Sequence, residues 1–163
     1  MRKIDSSVFQ AEGSRIIGDV TIGNASSVWY NAVIRGLPSQ ITIGARTNVQ
    51  DNVVIHGDPE DPVQIGDDVT IGHGAIVHGC TIHNNSLIGM GAIILNGAVI
   101  GSNCIVGAGS LVTQNRTIPN NTLVYGNPAR VIRNLTDEEI EGNRVSAQHY
   151  VDFANSLRST DKE

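Results

Sequence analysis

The chain is short of aromatic residues, proline and cysteine, and it has no cationic tract. Aromatics make up 4% of its 163 residues, which excludes a core packed around large rings. Five prolines beside eighteen glycines indicate many tight turns rather than disorder. The two cysteines, Cys80 and Cys104, have neither CxxC nor zinc-finger spacing, so both are expected to be structural. No run of Lys or Arg offsets a formal net charge of −5, and neither nucleic acid nor an anionic membrane is an expected partner. No segment reaches transmembrane length, and the opening MRKIDSSVF has no apolar stretch of signal-peptide type. The expected location is therefore cytoplasmic.

What the chain does have is a period of six. Ile82, Ile88, Ile94, Ile100, Val106, Val112, Ile118 and Val124 follow one another without a slip. Upstream, Ile16 to Ile34, Ile43 to Ile55 and Ile65 to Val77 form three further in-phase blocks. Four residues after most of these aliphatics stands a small one, such as Ser26, Ala32, Thr47, Ala75 or Cys104. A helix needs a period of 3.6 and a sandwich strand one of two. Six belongs to the hexapeptide parallel β-helix, in which three hexads close a triangular coil. The expected fold is an all-β solenoid over residues 1–134, with the left-handed coil usual in hexapeptide proteins. In residues 135–163 the pattern changes. Thr136 and Glu139 have capping-box spacing, and Ile140, Val145, Val151, Ala154 and Leu157 give a rough apolar face. This predicts a C-terminal α-helix packed on the outside of the coil or on a neighbouring subunit, with a frayed STDKE end.

The hexad register also assigns polar residues to faces. Counting three faces per coil stacks Ile34, Ile55 and Val77, so Arg35, His56 and His78 form one outward column. The preceding face stacks Val28, Val49 and Ile71, which puts Tyr30, Asp51 and His73 in a column beside Trp29, Gln50 and Gly72. Vertical neighbours lie ~4.8 Å apart, close enough for His56 and His78 to hold one ion at ~2.0–2.1 Å. His73 leaves from another side of the triangle. A threefold ring, in which one face of each subunit meets a different face of the next, would bring it to the same ion. Three imidazoles with an open fourth position are the usual ligand set of a catalytic zinc site. A single outward histidine is ordinarily only a surface residue, but four of the five fall between His56 and His83.

The segments SVWYNAVIRG, IGARTNVQDNVVIHG, IGHGAIVHGCTI, YGNPAR and SAQHYV together resemble the gamma-class carbonic anhydrases and their anhydrase-like relatives over nearly the whole chain. The resemblance implies reversible CO2 hydration by metal-bound hydroxide at the interfaces of a homotrimer. It implies one divalent metal per subunit, zinc first and iron or cobalt next, on His56, His73 and His78. It also implies that Gln50 orients the nucleophile, with Asn48 nearby, that Tyr150 reaches the site from the C-terminal helix, and that Arg35 and Asp51 form an interface ion pair. Two departures stand out. Where the family commonly reads Arg-Gly-Asp, this chain reads Arg35, Gly36, Leu37. The acidic loop that shuttles protons in the best-known active members is reduced to GDPEDPV, in which Glu60 is the candidate shuttle. Two other functions stay open: a hexapeptide acyltransferase or thioesterase acting on CoA derivatives, and a non-catalytic trimeric metal-binding protein.

Overall fold

The computed structural model describes residues 1–160, and their fold is a parallel β-helix with one helix, α1 (Asp137–Thr160), laid along its side. The aliphatics of the hexads stack in three ladders. Ile34, Ile55, Val77, Ile94 and Val112 form the first. Ile22, Ile43, Ile65, Ile82, Ile100 and Ile118 form the second. Val28, Val49, Ile71, Ile88, Val106 and Val124 form the third. All of these side chains are buried and belong to one core. At about 1.5–3 kcal/mol for each fully buried aliphatic, repetition of small units replaces the missing large rings.

The corners depend on two positions in each hexad. The residue four after the aliphatic is small and buried, as at Ser26, Thr47, Ala75 and Cys104. The residue three after it takes a left-handed backbone: φ is 60° at Asn52, 55° at Asn85 and 57° at Asn103. L-residues enter that region at a cost, which Asn bears best after Gly. The recurrence of Asn or Gly three residues after an aliphatic is a corner signal that the count of small residues passes over.

The three faces are not three separate sheets. The eleven-residue strand Val33–Ile43 pairs with Val54–His56 near its start and with Val63–Ile65 near its end. Two faces thus join around one corner into an 11-stranded sheet, and the third face is an 8-stranded sheet. The strand Arg15–Ile22 runs through the same corner with six positions from Ile16 to Ile22, and the nine from Ile34 to Ile43 are taken up by a register shift between Gly18 and Val20. At its far end the coil closes with an antiparallel hairpin, Thr122–Gly126 against Ala129–Asn134.

Helix α1 lies on the 8-stranded sheet, against Phe9–Gln10, Ser27–Val28, Asn48–Val49 and Thr70–Ile71. Its start is the predicted capping box: Glu139 N–H donates to Thr136 Oγ1 at 3.2 Å, and Thr136 N–H donates to Glu139 Oε2 at 2.9 Å. The buried face matches the expected one at Ala154, with Ile140, Val151 and Leu157 half-buried, and departs from it at Val145. Asn143, Ala147 and Ala154 are buried, whereas Val145 points outward. Asn143 belongs inside because its amide donates to Asn85 O and Cys104 O, both at 3.1 Å, which anchors the helix to coil backbone. The helix continues through Thr160; the rest of the expected frayed end lies outside the described residues. Among those residues no helix is long and apolar enough to cross a membrane.

Candidate metal centre

His56 and His78 close two consecutive strands, Val54–His56 and Ile76–His78, and pair directly across the ladder. His56 in turn pairs with Arg35, so the column expected from the hexad count is present. The two rings are half-buried and tilted, with centroids 5.0 Å apart. His56 Nδ1 faces His78 Nε2 at 3.0 Å. The outer nitrogens are also engaged, His56 Nε2 with Leu37 O at 2.9 Å and His78 Nδ1 with Asn96 Oδ1 at 2.5 Å.

These contacts fix where hydrogens must lie, as a hydrogen-bond network does for any imidazole. A carbonyl oxygen only accepts, so His56 Nε2 and His78 Nδ1 must both be donors. The Asn96 amide has no freedom to turn over, because its Nδ2 donates to Asp58 Oδ2 at 2.8 Å and to Asp61 Oδ2 at 3.1 Å. Two neutral rings held this way aim two lone pairs at each other across 3.0 Å. Something electropositive must lie between them, a shared proton or a cation. A tetrahedral ion with bonds of about 2.0–2.1 Å holds two ligand nitrogens about 3.4 Å apart, a small adjustment from the distance found. The pair therefore fits a metal, and its outer N–H groups already have the acceptors that metal-binding histidines use.

His56 and His78, with Asp58, place three ligand atoms within 4.8 Å of one another. His73 is not in that group. It leaves from the other sheet, where Nδ1 lies 2.8 Å from Asp51 Oδ2. Its backbone N–H donates to Gln50 Oε1 at 3.1 Å, Gln50 Nε2 donates to Asn48 Oδ1 at 3.1 Å, and Asn48 Nδ2 donates to Thr70 Oγ1 at 3.0 Å. Gln50 and Asn48 point away from the coil axis but are buried beneath α1, so neither belongs to a wet face. Gln50, His73 and Tyr150 open on a groove of about 430 Å³ whose walls include Leu87, Met90 and Ile105. Tyr150 comes from α1 and packs edge-on against Trp29, ring centroids 5.3 Å apart. Burial, with the Asp51 charge second, raises the Tyr150 phenol above its ordinary range.

The remaining expected residues are placed as follows. Within the chain Arg35 and Asp51 do not pair: Arg35 Nη1 donates to Leu37 O at 3.2 Å, and Asp51 holds His73. Glu60 is exposed in the loop after His56, whereas Asp58 and Asp61 turn inward onto Asn96. That loop folds back tightly at Gly57, where an added Cβ would meet Asp61 O at 2.5 Å. Leu37 serves the centre through its carbonyl, and its side chain is half exposed. Both cysteines are buried, and burial pushes the Cys80 thiol up to about 12, so Cys80 is not suited to join the ligands as a thiolate. Nothing in the hexad count singles out Asn96. It lies on the coil above His78, and the only local sign of it is a polar side chain two residues after Ile94.

The hexapeptide family described as bacterial transferase hexapeptide (six repeats) matches residues 79–114. A probable carbonic anhydrase of Methanocaldococcus jannaschii is 55% identical over 156 residues, which cover 96% of this chain and 98% of that protein. The mitochondrial gamma carbonic anhydrase 2 of Arabidopsis thaliana is 45% identical over 93% of this chain, a match that spans 56% of the longer plant protein. Among solved structures, a Bacillus cereus protein described as a putative acetyltransferase is 48% identical with a TM-score of 0.95, covering 98% of this chain and 92% of its own. With such identity over the full coil and helix, the chain belongs to the gamma carbonic anhydrase family of hexapeptide-repeat proteins.

Proposed function

We propose that this chain is a metal-dependent carbonic anhydrase that hydrates CO2 reversibly at the interfaces of a homotrimer. The observation that carries the proposal is the facing pair His56 Nδ1 and His78 Nε2, whose outer N–H groups are already bonded. His56 and His78 of one subunit, with His73 of the next, would hold one divalent ion, zinc by preference for such a ligand set. The ion would supply Lewis-acid acidification of water, from a pKa of about 15.7 towards about 7.

The chain's own residues do the rest. Gln50 is held at both ends, by the His73 backbone and by Asn48. One amide hydrogen and one lone pair remain to orient a water or a bicarbonate oxygen. Tyr150, whose phenol is raised above its ordinary range by burial first and the Asp51 charge second, offers a hydroxyl at the groove wall. The apolar side chains of the groove suit a small apolar substrate such as CO2 and shed water around it. Glu60, exposed in the loop after His56, would pass the released proton to solvent. Arg35 and Asp51, which leave from different sheets, would pair only between subunits.

Acyl transfer is the second reading, favoured by the name of the 48%-identical Bacillus cereus structure. One experiment separates the two. Protein loaded with zinc, and separately with iron(II) or cobalt, is assayed by stopped-flow for CO2 hydration and in parallel for turnover of acyl-CoA. Hydration in a metal-loaded form supports the anhydrase; turnover of acyl-CoA alone hands the site to the second reading. Mixing His73→Ala and His56→Ala subunits should regenerate intact sites in mixed trimers. No recovery in confirmed mixed trimers would count against a shared site.

A further inference from the structure

Asn96 is not a ligand, yet it is the most heavily engaged polar side chain near the centre. Its Oδ1 accepts from His78 Nδ1 at 2.5 Å, and its Nδ2 donates to both Asp58 and Asp61. Three segments meet at this amide: the strand end at His78, the coil above it and the loop after His56. We infer that Asn96, braced by Asp58 and Asp61, is the positioning residue that fixes His78 as the Nδ1–H tautomer and so presents Nε2 to the metal. The inference rests on the metal reading of His56 and His78 proposed above.

An asparagine amide has two faces, and either could point at an imidazole. If the nitrogen pointed at His78, Nδ1 would have to accept and the hydrogen would move to Nε2, the atom facing His56. That arrangement blocks metal binding at Nε2. Two carboxylates oppose it, since they only accept and both lie on the Nδ2 side. The loop thus selects the amide orientation, the amide selects the tautomer, and the tautomer leaves a lone pair where an ion can use it. Metal-binding histidines depend on such outer partners, and their loss costs about 10–100-fold in affinity.

The backbone is shaped to permit this contact. Gly79 follows His78 with φ +55°, and an added Cβ would lie 2.9 Å from Asp61 Cβ and 3.0 Å from Asn96 Cγ. The loop can reach Asn96 because nothing projects at Gly79. The residues of the short loop therefore divide their roles, with Glu60 facing solvent and Asp58 and Asp61 acting as the brace.

The test measures zinc affinity of the whole protein by competition with a chromogenic chelator, alongside long-range proton–nitrogen spectra of His78. Asn96→Leu should bind zinc about 10–100-fold more weakly than the parent and lose the single Nδ1–H signature. Combining Asn96→Asp with Asp58→Asn and Asp61→Asn reverses every donor and acceptor in the brace while keeping an acceptor on His78 Nδ1. This set should recover parent-like affinity and the same tautomer. If Asn96→Leu does not fold, Asp58→Asn with Asp61→Asn alone should weaken zinc and mix the tautomers. Parent-like affinity and tautomer in Asn96→Leu, or in the loop pair where that is the variant measured, overturn the inference and leave the metal site standing. A reversed set as weak as Asn96→Leu also overturns it. A parent that takes up no metal overturns the metal reading and the inference with it.

Discussion

Asp51 holds His73 within its own chain: Oδ2 lies 2.8 Å from Nδ1. The imidazole can then offer only Nε2 to a metal, the same division of its nitrogens that Asn96 enforces on His78. Asp51→Ala should lower zinc affinity by about 10–100-fold while leaving the coil folded. Metal competition reads the first effect and circular dichroism the second. Sedimentation adds a discrimination: if the proposed trimer is held by a pair of Asp51 with Arg35 across its interface, loss of assembly should be the main consequence, whereas orientation of His73 would leave the assembly state unchanged.

Gly79→Ala tests how closely the loop must approach. The change forces an L-residue to φ +55°, at roughly 1–2 kcal/mol, and drives its Cβ against Asp61 and Asn96. The melting temperature should fall by several degrees, since each kcal/mol is worth roughly 2–4 °C at this chain length. Zinc affinity should fall with it. A variant that melts lower but binds zinc as the parent does would mean that the loop yields without disturbing Asn96.

Much of this was legible because a solenoid converts sequence spacing directly into position. Once Ile34, Ile55 and Val77 stack, Arg35, His56 and His78 must stack too, and they do. The same count put His73 on another sheet from His56, as observed. Counting failed where the chain leaves the lattice. The loop after His56 brings Asp58 and Asp61 onto Asn96, a residue 35 or more positions away in sequence, and no period encodes where a loop folds back. The burial of Gln50 and Asn48 was hidden for a related reason. Their face is outward in the coil and becomes interior only once α1 covers it. On the helix the apolar pattern places Ala154 inside, as found, but it puts Val145 on the wrong side and cannot place Asn143, which is inside on account of the two carbonyls it satisfies.

The helix face can be checked with the single tryptophan. Trp29 stacks on Phe153 of α1 at 5.0 Å and meets Tyr150 edge-on, so its emission reports helix docking. Ala147 has no exposed surface, and Ala147→Leu should overpack the contact at about 1–3 kcal/mol. A red shift of Trp29 emission should accompany the loss of stability. Val145→Ala, on the exposed side, should stay within about 0.5 kcal/mol of the parent. Reversed sensitivities would restore the face that the apolar pattern suggested.

The start of α1 makes a prediction about pH. Arg133 grips Glu139 through both carboxylate oxygens, and the Thr136 backbone N–H adds a third contact. The Arg133 hydrogen bonds first, and the Thr136 N–H second, lower the Glu139 carboxyl from 4.5 to about 2. A folded-state value below the unfolded one means that the pair stabilises the helix start fully above about pH 4.5. That contribution is lost as the pH falls through about 2. Glu139→Gln keeps a capping-box partner for Thr136 and removes only the charge facing Arg133. The melting temperatures of parent and variant should therefore differ most above pH 5 and converge towards pH 2, with a gap at high pH that narrows in strong salt because the pair is exposed to solvent. A gap of equal size at pH 2 and pH 6 would show that Glu139 acts through the backbone cap alone, with its charge irrelevant to the helix.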